Sequence, residues 1–232
     1  MTERDPSFQF APQDKQVEVW DIGVRVFHWS LVLLMIGSFV TIKLGKLEYH
    51  TWCGYSILTL LLFRILWGFV GGTYARFTTF VKGPAAVIAY FKGLSRGARE
   101  TTLGHNPMGA LSVLAMLAAM LFQASSGLLT NSDDFSFEAA LYKWVGKDLS
   151  DKITTLHRLN EKVIFLLVGL HLAAIAFYYF VKKHNLVKPM ITGTTTAPAD
   201  APATRRGSTG LALVLLVLCA GFVYWLVKFA AR

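Results

Sequence analysis

Cysteine is nearly absent from this 232-residue chain: Cys53 and Cys219 stand far apart, each inside an apolar segment. Neither belongs to a Cys-x-x-Cys-His run, which argues against covalent c-type haem attachment, and two isolated thiols support neither a disulfide nor a thiolate metal site. Both read as small buried hydrophobes. Acidic residues are also few, 14 against 23 Lys and Arg, and none lies deep within an apolar run. No internal repeat and no phosphate-binding glycine motif is present. The first 16 residues are polar and no small-residue cleavage pattern follows the first apolar run, so that run is not expected to be a cleaved signal peptide.

What the chain has in abundance is apolar length. It is 54% hydrophobic with a mean hydropathy of +0.47, and its apolar residues gather in five runs, near 24–44, 52–71, 107–129, 159–181 and 210–228. Each is long enough to cross a hydrocarbon core of about 30 Å as a helix. The expected fold is an all-α integral membrane protein: a four-helix transmembrane bundle plus a fifth, C-terminal transmembrane helix. The net charge of +9 then belongs to loops at the lipid surface and does not call for nucleic acid. Counting Arg25, 13 Lys and Arg fall on the side of the N-terminus and 8 on the other, with Arg64 and Lys162 inside spans. Basic loops stay cytoplasmic, so the expected orientation in a bacterial inner membrane is N-terminus cytoplasmic and C-terminus periplasmic.

The chain divides into a cytoplasmic tail (1–23), a four-helix domain (24–185), a linker (186–209) and the last helix (210–232). Pro84 to Leu94 has helical apolar spacing and basic ends, and is expected to lie along the cytoplasmic surface. Between the third and fourth spans, Phe137, Leu141, Trp144 and Val145 suit one face of a surface helix over the outer end. The linker, rich in Thr, Ala, Pro and Gly, reads as flexible, and the helix hung from it as peripheral.

Histidines inside apolar runs need a reason. His28 lies near the cytoplasmic end of the first span, and His50 at the outer start of the second. His157 and His171 sit on the fourth. Fourteen residues of helix return a side chain to within about 40° of the same face, about 21 Å further along. One helix therefore presents two imidazoles, one near each surface. Depth pairs His28 with His171 and His50 with His157. Two imidazoles from different helices are what a b-type haem iron takes as axial ligands, so two non-covalent haem b groups stacked across the bilayer are expected. Gly37, Gly54, Gly127 and Gly169 would leave room for the macrocycle; Phe27, Trp29 and Trp52 are candidate walls. An arginine inside a span is costly unless paired. Arg64, 14 residues after His50, would meet a propionate at the inner level, Arg158 would do so at the outer level, and Arg25 is a weaker candidate beside His28. His105 has no partner at its depth, and would bond a propionate or a quinone, or cap the third helix. His184, in a run of lysines, reads as surface.

These residues sit in stretches that together resemble a known family. "VWDIGVRVFHW", "HTWCGYSILTLLLFRILWG", "GHNPMGALSVL", "SGLLTNSDDFSFE" and "LHRLNEKVIFLLVGLHLAAIAFYY", in that order over roughly residues 17–185, are similar to the bacterial cytochrome b561 group, which includes the b-type cytochrome subunits of nickel–iron hydrogenases. The resemblance implies two bis-histidine b haems, with ligand positions falling on His28, His50, His157 and His171, and electron exchange with a membrane quinone. The fifth helix lies outside it.

The expected function is an electron path across the membrane between the quinone pool and a periplasmic redox partner, either a c-type cytochrome or an oxidoreductase subunit. One rival is a stand-alone superoxide:quinone oxidoreductase, with Lys43, Lys46, Lys143, Lys147 and Lys152 steering an anion to the outer haem. Glu48, Asp133, Asp134, Glu138, Asp148 and Asp151 share that side and dilute the field. The other rival is a haem-free protein whose histidines bind a metal ion or nothing.

Overall fold

The computed structural model describes residues 15–95, 103–133 and 136–229; residues 1–14 of the expected tail and Asp134 lie outside them. In chain order the elements are β1 (Lys15–Glu18), α1 (Ile22–Lys43), α2 (Leu47–Val70), α3 (Phe77–Phe80), α4 (Pro84–Ser95), α5 (Pro107–Gly127), β2 (Asn131–Ser132), β3 (Phe137–Glu138), α6 (Gly146–Phe180), α7 (Val187–Thr192), β4 (Thr194–Ala197) and α8 (Thr209–Lys228). Five of the helices, α1, α2, α5, α6 and α8, are long and apolar enough to span a membrane. Their outward faces are apolar and bare: Leu33 is 70% exposed, Leu166 63% and Val217 69%. In water such a surface would be untenable, whereas lipid tails cover it without cost.

Local chemistry sets the helix starts. Asp21 caps α1 by accepting the Val24 N–H at 2.9 Å. Asn106 caps α5, accepting from Gly109 N at 2.7 Å, with Pro107 in the first turn where its missing donor is harmless. Ser208 caps α8. The α1–α2 turn passes through Gly45 at φ 67°, and α6 begins at Gly146 with φ 70°, a conformation that favours glycine.

The bundle is built around α2, which packs against α1 on one side, α8 on another and α5 on a third. Its buried residues Ile57, Leu60, Leu61, Phe63 and Trp67 form one core with Val24 and Phe27 of α1, Met120 of α5, and Ala212 and Cys219 of α8. The fifth helix is therefore part of the core and not a peripheral appendage, because α2 offers it an apolar stripe left open by α1 and α5. By contrast α6 packs along α5 and meets α1 and α2 through side-chain pairs such as Phe39–Phe165, whose rings lie 5.1 Å apart.

Two expectations fail for identifiable reasons. The fourth span starts at Gly146, well before the apolar run at 159, and no separate surface helix covers residues 137–145. There a two-residue strand pair, Asn131↔Glu138 and Ser132↔Phe137, and a single 3₁₀ turn at Tyr142–Trp144 lead into α6. At 35 residues α6 is about 52 Å long, so its charged first turns stand clear of the hydrocarbon. The linker is not a loose tether either. α7 and β4 occupy it, and β4 pairs antiparallel with β1 from Lys15↔Ala197 to Glu18↔Thr194. That pairing puts residues 15–18 and 194–197 on the same side of the membrane, as four spans between them require.

Candidate functional site: two histidine pairs on one bundle

On the face away from β1, His50 at the start of α2 and His157 on α6 face each other with ring centroids 6.4 Å apart and planes at 85°. His50 Nδ1 lies 2.9 Å from the Ser38 carbonyl oxygen. A carbonyl only accepts, so Nδ1 carries the proton and Nε2 keeps its lone pair. The same tautomer follows for His157. Ser126 Oγ donates to the Gln123 carbonyl and accepts from His157 Nδ1 at 3.0 Å, while the Gln123 amide nitrogen stands 3.1 Å from Nε2. Asn160 fixes that amide by donating to Gln123 Oε1 at 2.8 Å. Each imidazole thus keeps its lone pair on Nε2, that of His157 accepting the Gln123 amide N–H, and is oriented from behind by a hydrogen bond on Nδ1.

Both rings line a cavity of about 230 Å³ walled by Met35, Phe39, Ile42, Tyr55, Ile164 and Phe165, with Arg158, Glu161 and Ser132 also on its lining. Gly54 and Gly127 complete the wall. A Cβ at Gly54 would meet nothing within 4 Å, and one at Gly127 would come within 3.2 Å of His157 Cε1. Ser132 Oγ is buried with no partner among the described residues. This is a largely apolar slot bordered by two imidazoles.

On the β1 face, His28 of α1 lies within electrostatic range of His171 of α6. Along α6 the half-buried positions include 157, 160, 161, 164, 168, 171, 175 and 178, a helical stripe that carries both histidines inward. His28 Nδ1 is buried without a partner among the described residues, as are Arg64 Nη1 and His105 Nδ1. Arg64 is only 3% exposed. It stacks over the Phe77 ring and lies in range of the Asp21 charge. No hydrogen bond or ion pair to it is found among the described residues. A desolvated guanidinium in that state gains from any anion brought near it. His105 sits between Trp20 and Phe80, with ring centroids 4.6 and 4.7 Å away.

Burial pushes His105 down to about 3, with the nearby Arg64 and His171 adding to the effect. An unfolded chain binds that proton below about 6.5, so the folded protein loses stability as pH falls from 6.5 toward 3, by at most about 1.4 kcal/mol per pH unit. Thermal unfolding in detergent from pH 7 to 4 should show this loss, and His105→Gln should flatten it. An unchanged slope in the variant would assign the acid lability elsewhere.

The other anticipated residues are placed as follows. Arg25 donates to the Ile191 carbonyl at 2.7 Å, tying α1 to α7. Trp29 donates to the Met190 carbonyl and is 40% exposed, and Trp52 is 57% exposed. Neither tryptophan walls the cavity. Phe27 lies in the main core, and Gly37 adjoins Cys53. A Cβ at Gly169 would meet nothing within 4 Å. His184 is exposed. Among the described residues no three His, Cys, Asp or Glu side chains converge as a metal-ion site, whereas paired imidazoles suit an iron whose remaining ligands come from a porphyrin. On the far side Lys147 is held by Asp133 at 2.9 Å and Asp151 at 3.8 Å, which weakens the lysine field invoked for anion steering. Gln123, Ser126, Ser38 and Asp21 are site or support residues that the sequence reading passed over. Polar side chains within apolar runs, as in "LFQASSG", were the available signal.

The chain is similar to known proteins. The family model for prokaryotic cytochrome b561 matches residues 19–193. A probable Ni/Fe-hydrogenase B-type cytochrome subunit of Bradyrhizobium diazoefficiens is 22% identical over 222 residues, covering 82% of this chain and 90% of that protein. A probable Ni/Fe-hydrogenase 1 B-type cytochrome subunit of Escherichia coli is 25% identical over 181 residues, covering 63% and 76%. No solved structure gives a significant match.

Proposed function

Because the chain belongs to the prokaryotic cytochrome b561 family, we propose that it is a di-haem b cytochrome carrying electrons across a bacterial inner membrane, between the quinone pool and an oxidoreductase partner. The observation that carries this reading is the pair of imidazole pairs. α6 supplies one histidine to each, 14 residues and about 21 Å apart along the helix, with His50 meeting His157 at one level and His28 near His171 at the other.

Haem b supplies one-electron exchange when bound, its potential tuned by ligand orientation, burial and nearby charge. The chain's own residues do the rest. His50 and His157 would hold the periplasmic group, their tautomers set by Ser38 and Ser126, and the Gln123 amide would have to release His157. Phe39 and Phe165 would wall the slot, and Arg158 and Ser132 on its lining would be available to the group's carboxylates. His28 and His171 would hold the cytoplasmic group, with Arg64 offsetting its negative charge. The quinone site is assigned to that cytoplasmic end, beside His105.

The basic bias of the loops supports the N-terminus inside and the C-terminus outside. The naming of both relatives as hydrogenase cytochrome subunits supports an oxidoreductase subunit as the periplasmic partner, with a c-type cytochrome as the other candidate.

A reduced-minus-oxidised visible spectrum of the purified protein, with haem quantified per chain, tests the reading. A sharp b-type spectrum with two haems is expected, and so is reoxidation of the reduced protein by a soluble quinone analogue. A colourless preparation would overturn the proposal and return the histidines to structure.

A further inference from the structure

The segment beyond residue 193 lies outside the family match, yet it closes on the deepest polar contact of the N-terminal face. The Asp21 carboxylate, 5% exposed, accepts the Trp67 indole N–H at 3.0 and 3.1 Å, Gly72 N at 3.0 Å and Val24 N at 2.9 Å. Gly207 presses on this group from the C-terminal side. A Cβ there would lie 2.5 Å from Asp21 Oδ2 and 2.6 Å from Trp67 Cζ2. The strand leading to it is pinned on both sides. Thr73 N donates to the Arg205 carbonyl, Arg205 N donates to Thr73 Oγ1 at 2.8 Å, and Arg206 meets Glu18 at 2.8 Å. One residue later Ser208 caps α8, whose Ala212 and Cys219 enter the core beside Trp67. Arg64 stands one helical turn before Trp67, in range of the Asp21 charge.

We propose that the 205–207 strap and α8 are a built-in positioning device for the cytoplasmic redox centre: Gly207 packs against the Asp21 carboxylate, and Asp21 sets the charge balance at Arg64. Asp21 and Gly207 are positioning residues that act through Arg64. The inference rests on the two-haem reading. It explains why a glycine, and no larger residue, stands against a buried acid whose three N–H donors come from α1, α2 and the following turn, and why the fifth helix is joined by a pinned segment and not by a slack tether.

A redox titration of the full chain in detergent, resolving the two haems by potential, tests it. Asp21→Asn keeps a competent helix cap and removes one negative charge, so the cytoplasmic haem should become easier to reduce while the periplasmic one is unchanged. Gly207→Ala should also shift the cytoplasmic potential alone. Gly210→Ala, whose nearest contact would be Ser208 Oγ at 4.0 Å, should shift neither. Potentials unmoved in both Asp21→Asn and Gly207→Ala, or moved equally for both haems, would overturn this inference and leave the di-haem reading standing. A wild-type chain lacking the cytoplasmic haem would overturn both. If Asp21→Asn fails to fold, the contrast between Gly207→Ala and Gly210→Ala decides.

Discussion

His171→Ala takes the purified protein from two haems per chain to one. The imidazole removed stands on the inward stripe of α6, near His28, and the nearby His105 is not free to replace it, because its ring packs against Trp20 and Phe80. The His50–His157 site shares only α6 with it. The haem that remains should keep its spectrum and potential, because His50 is still oriented by Ser38 and His157 by Ser126. Haem quantification with a redox titration reads both consequences. Two haems retained would break the His28–His171 pairing, and loss of both would mean that the sites fold as one unit.

The complementary change acts on space and not on a ligand. Gly54 follows His50 by one turn and lines the cavity, with nothing within 4 Å of a Cβ placed there. Gly54→Phe puts a ring into the slot and should cost the chain the haem of the His50–His157 site while leaving those two histidines and the His28–His171 centre intact. Filling an apolar cavity need not strain the bundle when the space exists, so the haem-depleted variant should melt no earlier than haem-depleted wild type. Haem content near one per chain, with the His171-dependent component surviving, is the expected result. Two haems in Gly54→Phe would mean that the cavity is not the binding slot. Combined with His171→Ala, it should leave the protein without haem.

Five spans were legible because lipid imposes a length and a polarity that local windows detect. The depth pairing of the histidines was legible because a straight helix converts residue number into height and azimuth. Arg64 stood out for its cost in that setting. What escaped was decided across long separations or outside the hydrocarbon. Lys147, Asp148, Asp151 and Lys152 depress hydropathy without breaking a helix, so the true start of α6 lay hidden upstream. "TTTA" has no strand signal beyond its threonines, and it gains a partner only because Lys15–Glu18, some 180 positions earlier, arrives beside it. Asp21 looked like the end of a polar tail, since nothing local announces that Trp67, Gly72 and Gly207 will surround it. Trp52 looked like a haem wall because it neighbours His50 in sequence, but on a helix residues two apart point about 200° apart, and it is absent from the cavity lining, whereas the Trp29 ring does lie 4.9 Å from that of His28.

The β1–β4 pairing also places assembly on a clock. β1 is made first and must wait until Ala197 has been synthesised. At about 5–20 residues per second, that is roughly 10–40 seconds with its edge unpaired. Four spans can insert and associate in that interval, but the seam at the N-terminal face cannot close. The N-terminal face of the bundle is therefore the last part to close, just before the fifth helix is made.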